Sequence, residues 1–585
     1  MSVVGFDFGT TNSLISLIKG GRAINFLDNE QRPIPSIACY EGTEKIFGRD
    51  AKKRISEAGL GVKGNIVRSP KMYLDRESIF VEGVEKSPVD VVCDVVSYVV
   101  REARRSSREL SDLTTAVVTI PVDMDGARRR RLRSAFLQAG IRIVQFVHEP
   151  LAALYGFFRR QDLAAMLRKY DKKPVLVFDW GGGTLDLTLC RPIGGILLQV
   201  LNDGTDSVGG DVFDEAIMNR LVKYVATARG IGEAFDLHLG AKARLLDKCE
   251  RSKIDLSSRS DVSVYVGNFF RGIEEEEFDY TLTQAEMEQI VEPLLDTGFK
   301  RIQKILEASD FAPEQIALCL ATGGMSNMPA VKRRLDELFG PERVQIPDNT
   351  STLIAEGAAW IAADNAGLHL AKNIELLFAR NSYFSVVKAG TEMPKEGEVQ
   401  KDTFHLYCTD PRDGIAKFQI CSPARPGMAV LPGDPRTNLN NMTVKVDALA
   451  KPFHERLELD ISVDEDLILT THARSLNKKD QDRCEIHNLE FGLKFPNLAE
   501  RLDFDFTDQV VQNVKGATPG ELSLRSNVAN REDDSLVPGE LLFKHDPSYF
   551  DVRSHPPQYQ VHERLYYEPC STCGLASNDP ICKCG

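Results

Sequence analysis

The sequence predicts an α/β fold laid down twice on one plan, followed by a β-rich domain and an irregular, cysteine-bearing tail. Three observations predict it. Residues 3–13, Val-Val-Gly-Phe-Asp-Phe-Gly-Thr-Thr-Asn-Ser, and residues 176–186, Leu-Val-Phe-Asp-Trp-Gly-Gly-Gly-Thr-Leu-Asp, each run an apolar strand into an aspartate and then a glycine–threonine turn. From about Leu368, glycine turns and long helices give way to short alternating segments with turn signals. The last sixteen residues hold four of the twelve cysteines.

The repeated turn has a chemical meaning. Glycines let backbone N–H groups close on an anion, and the threonine hydroxyls of Thr10, Thr11 and Thr184 add donors. A phosphate fits there, yet Asp7 and Asp179 beside the turns would repel it by about 4 kcal/mol per charge pair at ~4 Å and an effective dielectric near 20. A divalent cation between them removes that conflict, so the pattern implies magnesium. One such turn could be a plain hairpin. Two copies point to a duplicated fold with nucleotide phosphates held between its halves.

The chain of 585 residues has room for several domains, and 42% hydrophobic with 27% charged residues is ordinary for a soluble protein. A net charge of −13 argues against broad binding to nucleic acid or an anionic membrane. The sequence shows no long apolar run and opens on a strand rather than a signal peptide, so the expected setting is the cytoplasm, with neither nucleic acid nor membrane as partner. Of twelve cysteines, eight are scattered singly, as reduced thiols would be.

Taken in order, residues 14–18 and 23–27 continue the first sheet, and 32–40 form a loop and a short strand. Lys71, after Ser69-Pro70, reads from spacing alone as a solvated loop residue. Ser87-Pro88 caps and starts a helix whose apolar face is Val91, Val92, Val95, Val96 and Val99. Thr115–Ile120 is a buried strand, and the helix after it carries Arg128 to Arg131 and Arg133, read as a solvated face. Residues 142–147 make a strand ending at His148-Glu149-Pro150, so Glu149 either meets a ligand at the strand end or simply opens the next helix. Val208-Gly209-Gly210-Asp211 starts a long helix at which Gly209 and Gly210 either cap a ligand or make a tight turn. Glu250, Lys253 and Ser257 fall on one helical stripe, a pattern that ordinarily faces solvent. Residues 316–321 run into Thr322-Gly323-Gly324-Met325, a third glycine turn, and the small residues of 355–363 suit a closely packed final helix.

These pieces divide the chain into a nucleotide-binding domain at 1–367, an apolar linker at 368–382, a β-rich domain at 383–497 and an irregular region at 498–585. Cys570, Cys573, Cys582 and Cys584 either close a tetrahedral zinc site or lie on an unliganded tail, the second pair being spaced by one residue rather than two.

The order and spacing of the three turns resemble the actin-like (ribonuclease H-like) ATPase domain of actin, sugar kinases and 70-kDa heat-shock chaperones. Asp-Phe-Gly-Thr-Thr-Asn-Ser, His-Glu-Pro-Leu-Ala-Ala-Leu-Tyr-Gly, Asp-Trp-Gly-Gly-Gly-Thr-Leu-Asp and Val-Gly-Gly-Asp-Val-Phe-Asp resemble the DnaK-type chaperones in particular. The resemblance implies ATP or ADP with magnesium, the cation held through water by Asp7, Asp179 and Asp186. It places Lys71, Glu149, Asp179 and Thr184 as catalytic residues. Gly9, Thr10, Thr11, Asn12, Gly181, Gly182, Gly183, Gly209, Gly210, Gly323 and Gly324 then hold phosphates and ribose, and Glu250, Lys253 and Ser257 grip the adenosine. Pro121 and Arg129 match the pair that relays nucleotide state to the partner domain.

Several positions depart from that pattern. Asn327 stands where the family stacks an arginine on adenine, Ser351 replaces an acid near the base, Glu375 interrupts the apolar linker, and the helical lid is missing. The implied function is an ATP-dependent chaperone-like machine whose β domain binds polypeptide clients, with cochaperone and exchange factor as partners. The alternative is a nucleotide-gated adaptor that holds one dedicated partner. A sugar kinase fits less well, since no acceptor loop or base for a sugar hydroxyl is found.

Overall fold

The computed structural model describes residues 3–56, 64–231, 235–379, 382–424, 426, 434–496 and 541–543. Two compact units emerge, the first of residues 1–367 with 493–498, the second beginning at Leu368.

In the first unit one strand plan occurs twice. The order in the first sheet is Arg142–His148, Thr115–Ile120, Val4–Phe8, Asn12–Lys19 and Arg22–Phe26, with the first three parallel and the last two antiparallel additions. The second sheet repeats this with Val344–Gln345, Leu318–Thr322, Val175–Trp180, Leu185–Ile193 and Ile196–Thr205. Each central strand therefore ends in its aspartate and glycine turn at the same topological position.

Local chemistry sets the helices. Pro88–Ser106 starts where the Ser87 hydroxyl accepts from the Val89 amide at 3.2 Å, and its five-valine face is buried. The helix Gly126–Gln138 corrects the reading of its arginines as a solvated face. Arg129 is wholly buried and donates to the Met124 carbonyl, Arg131 donates to the carbonyls of Leu74 and Arg76, and Arg133 donates to that of Ile143. Guanidinium forks here satisfy carbonyls that strand ends and loops leave over.

In the second sheet Trp180 is fully buried, edge-on to Phe178 and Phe213, and its Nε1 donates to the Val208 carbonyl at 2.6 Å. That bond ties the Gly181–Gly183 turn to the start of the helix Gly210–Ala228.

The second unit is two antiparallel sheets. One has the order Ser382–Val387, Ile374–Phe378, Ile415–Pro423, Arg436–Lys445; the other has Gln481–Ile486, Leu469–Ser475, Arg456–Asp464, Val399–Cys408, Leu541–Phe543. Two expectations change here. Ile374–Phe378, within the stretch read as a linker, is a strand paired with Ser382–Val387 and Ile415–Pro423, and Glu375 is buried against Arg436 at 3.0 Å. Leu541–Phe543, within the stretch read as irregular, pairs with Val399–Cys408. Three apolar residues are too few to show a period, which is why the strand was not visible in the sequence. Leu541 is wholly buried. Burying a leucine is worth about 1.5–3 kcal/mol.

In the first unit, the helices Glu149–Arg159 and Leu353–Ala363 cross through glycines, and a Cβ added at Gly357 would stand 1.8 Å from the Ala152 carbonyl oxygen. Gly357→Ala should therefore force the helices apart and lower stability by about 1–3 kcal/mol or more. Urea denaturation checks this, and an unchanged midpoint would show that the crossing tolerates the methyl group.

Candidate functional site

Lys71 is the largest departure from the residue-by-residue reading. It sits on a single 3-10 turn, Pro70–Tyr73, entered through Ser69 in the left-handed region at φ 50. That turn drives the lysine inward. Only 4% of it is exposed, and its Nζ donates to Glu149 Oε1 at 2.8 Å. Glu149, the first residue of its helix, is 7% exposed. It thus opens its helix, one of the two readings left open by the sequence, and its carboxylate is paired with Lys71.

Around this pair stand three aspartates. Asp7 Oδ1 accepts from the Thr119 hydroxyl at 2.8 Å, and Asp186 Oδ1 accepts from the Val122 amide at 3.0 Å. Asp179 lies directly opposite Asp186 across the ladder, a like-charge pairing that ordinary sheets avoid. Burial, followed by the charge of Glu149, pushes Asp7 up to about 7, although Lys71 and the Thr119 bond pull the other way. Burial and then Glu149 also hold Asp179 and Asp186 well above the usual carboxylate range.

The two glycine turns meet over these acids. A Cβ on Gly182 would fall 2.0 Å from Thr11 Oγ1, and one on Gly183 would fall 2.5 Å from Thr10 Cγ2. Gly181 N donates to the Thr184 carbonyl at 2.9 Å, closing the second turn, while Ser36 Oγ donates to the Gly9 carbonyl at the first. Thr10, Lys71 and Thr184 line one small recess, which Pro121 also borders.

Next to the turns lies a cavity of about 440 Å³ bordered by Thr11, Asn12, Gly182 and Gly210 and by Glu250, Lys253 and Ser257. The expected solvent stripe is thus a cavity wall. Glu250 and Lys253 are buried, and Ser257 lies just past the end of the helix Ala241–Asp255. Glu250 accepts from Lys52 Nζ at 2.5 Å and from Arg68 at 2.9 Å. Burial alone would raise Glu250, yet Lys52, then Arg68 and Lys253, hold it below its usual range. Lys253 pairs with Asp214 at 2.8 Å and donates to the Gly210 carbonyl. Gly324 and Asn327 also border the cavity, Gly323 turns at φ +80 against the Trp180 carbonyl, and Gly209 caps the helix Gly210–Ala228. Ser351 is exposed. Lys52, Arg68 and Asp214 are the site residues that sequence reading missed. Asp214 closes a motif already quoted, while Lys52 and Arg68 belong to no pattern.

The family model for the Hsp70 protein matches residues 3–59 and 62–381. The chain belongs to the Hsp70 family. Among its curated relatives, the chaperone protein DnaK of Mycoplasma mycoides subsp. mycoides is 31% identical over 365 residues, covering 61% of this chain and 58% of that one. The DnaK proteins of Thermosipho africanus and Thermus thermophilus are each 28% identical, over 62% and 61% of this chain and 59% and 60% of theirs. This Hsp70 chain thus spans under two thirds of the length of the relatives it matches, and the actin-like two-lobed plan implied by its motifs is the plan of its first unit.

Whether the residues fit a magnesium-bound nucleotide can be judged from the site itself. Thr11 Oγ1 is buried with no hydrogen-bond partner among the described residues, the glycine cradle has no room for side chains, and one lysine faces four carboxylates. Among the described residues no three His, Cys, Asp or Glu side chains converge as direct ligands of one ion. Cys570, Cys573, Cys582 and Cys584 lie outside the described residues. Among those residues the eight cysteines are free, and no helix is long and apolar enough to cross a membrane.

The charge cluster has a measurable cost. An unfolded Asp7 ionises near its ordinary 3.8 and the folded one near 7, so the folded state binds more protons between these values. Stability should therefore fall as pH rises from about 4 to 7, with the full penalty above 7. Asp7→Asn should raise the melting temperature of the protein in chelator without nucleotide at pH 8, by an amount that shrinks toward pH 4. A pH-independent difference in differential scanning calorimetry would contradict this origin of the penalty.

Proposed function

We propose that this Hsp70 chain is a chaperone-like ATPase that binds magnesium with ATP, hydrolyses it slowly, and thereby controls polypeptide binding by its β-rich unit. The observation that carries the reading is the buried Lys71–Glu149 pair among Asp7, Asp179 and Asp186, directly beside a cradle that only glycine can form. Phosphoryl transfer asks a protein mainly for placement and charge compensation, and this arrangement is suited to both.

In this reading Asp7, Asp179 and Asp186 are the residues that would hold magnesium through water, which would supply neutralisation of phosphate charge. Gly9, Thr10, Thr11 and Asn12 from one turn, with Gly181, Gly182, Gly183 and Thr184 from the other, bind the phosphates through amides and hydroxyls. Lys71 Nζ compensates negative charge on the transferring group. The carboxylates of Glu149 and Asp179 accept hydrogen bonds from water and set its line of approach. Glu250, Lys253 and Ser257 hold the adenosine, with Gly209, Gly210, Gly323 and Gly324 at ribose and phosphates. Because the γ-phosphate would contact turns from both sheets, ATP and ADP differ in the contacts they make, which is what a conformational switch requires.

The second reading, a nucleotide-gated adaptor for one dedicated partner, draws on the Glu375–Arg436 pair. Glu375 lies at the start of the second unit and is locked in a buried ion pair, so a segment that elsewhere would move with nucleotide state is fixed in a sheet. Binding of unfolded model peptides, measured with and without ATP, separates the two: a chaperone changes affinity with nucleotide, and an adaptor ignores such peptides. A cochaperone and an exchange factor belong to the first reading.

Lys71→Ala should lower ATP turnover by roughly 100-fold or more while leaving nucleotide bound, since the lysine acts on the transferring group. Single-turnover hydrolysis alongside equilibrium binding of fluorescent ADP checks both halves. Turnover that survives the substitution would remove Lys71 from the catalytic set.

A further inference from the structure

His148 is the last residue of the strand Arg142–His148 and the N-cap of the helix that Glu149 opens. An N-cap side chain ordinarily turns back to accept from the first free amides of its helix. This one makes no such bond. The imidazole is wholly buried and reaches from the first sheet to the second, its Nδ1 3.3 Å from Gln199 Oε1 on the strand Ile196–Thr205.

Gln199 is aimed at it by a β-bulge in the second sheet. Leu189 pairs with Leu201 and Cys190 with Gln199, so Val200 is an extra residue in the ladder. Residues three apart on a regular strand face opposite ways, whereas one inserted residue lets Gln199 and Asn202 share a face. The Gln199 amide donates to Asn202 Oδ1 at 3.2 Å, and that oxygen also accepts from the Thr188 hydroxyl at 2.9 Å. All four side chains are buried. With its amide nitrogen engaged by Asn202, Gln199 turns its carbonyl to the imidazole, so His148 donates a proton from Nδ1.

Thr188 stands two residues beyond Asp186 on the strand Leu185–Ile193, and so on the same face. The chain of hydrogen bonds therefore joins the strand that delivers Glu149 to the strand that carries Asp186, two acids whose charges act on each other across the site.

We propose that His148 is a positioning residue for ATP hydrolysis, one that fixes Glu149 relative to Asp186 by holding the second sheet through Gln199, Asn202 and Thr188. This role rests on the ATPase reading above. His148 acts only through its neighbour, and a small displacement of a group that orients the reacting water lowers the rate of the step it serves. None of the four residues lines the cavity of Glu250 and Lys253, so the loss falls on turnover and spares nucleotide binding.

The test exploits the shapes of two amide side chains. Asparagine places its amide nitrogen near the position of the imidazole Nδ1, whereas glutamine places its own near that of Nε2. His148→Asn should keep turnover within about 3-fold of wild type, while His148→Gln and His148→Leu should lower single-turnover hydrolysis by roughly 10-fold or more with unchanged affinity for fluorescent ADP. Gln199→Leu should cost as much as His148→Leu, and the two together no more than either alone. If the leucine variants do not fold, the asparagine and glutamine variants carry the comparison. Equal turnover for those two, a loss shared by nucleotide binding, or additive losses overturns the proposal. Nitrogen-15 NMR of histidine-labelled full chain without nucleotide reads the anchor apart from hydrolysis. The His148 signal, identified by its absence from His148→Asn, should show a proton on Nδ1, and a proton on Nε2 alone overturns the assignment. Wild type that holds this proton on Nδ1 but hydrolyses no ATP overturns the ATPase reading, and with it the role of His148, while the anchor itself stands.

Discussion

Gly182 and Gly183 lie against Thr11 and Thr10 so closely that no Cβ fits between them, and everything at the centre of this molecule depends on that approach. It brings the ends of two equivalent strands, with Asp7 on one and Asp179 on the other, to a single place. Neither sheet alone would hold the arrangement. The first contributes Lys71 and Glu149 through its flanking loop and helix, and the second contributes the opposed Asp179 and Asp186.

The result is a buried surplus of negative charge, which stability alone would not favour. Four carboxylates share one lysine, and burial drives three of them toward the protonated form. Proteins tolerate such a cluster where a ligand completes it, and perturbed acids in a cleft are the physical signature of a working site. The neighbouring cavity follows the opposite rule. There Glu250 is answered by Lys52 and Arg68, and Asp214 by Lys253, so charge is balanced before anything binds. The two halves of the site thus differ in charge, one holding a buried surplus and the other balanced by its own side chains.

The duplicated plan was legible because its signal is local. An apolar strand, an aspartate and a glycine turn sit within a dozen residues, and their repetition in the same order left little freedom for another fold. The helix at Ser87-Pro88 was legible for the same reason. What escaped was information carried by distant contacts. Lys71 reads as a loop residue until Ser69 turns it toward Glu149, 78 positions away. The stripe of Glu250, Lys253 and Ser257 has the periodicity of a wet face, and only the cavity opposite makes it a wall. The arginines of Gly126–Gln138 were misread because their partners are carbonyls, which leave no mark in a sequence. The family resemblance placed Lys71 where local spacing did not, which shows how much of a site is fixed by tertiary context.

Trp180 also turns the molecule into its own optical instrument. Its indole N–H, next to the second glycine turn, holds the Val208 carbonyl at the start of the helix Gly210–Ala228, and the only other tryptophan, Trp360, lies on the last helix of the first unit under the Arg159 guanidinium. Any rearrangement of the turn alters the polarity around one emitter, while movement of the final helix alters the quenching of the other. Both emitters belong to the first unit, so intrinsic fluorescence follows its internal changes without a label and with no tryptophan background from the β-rich unit.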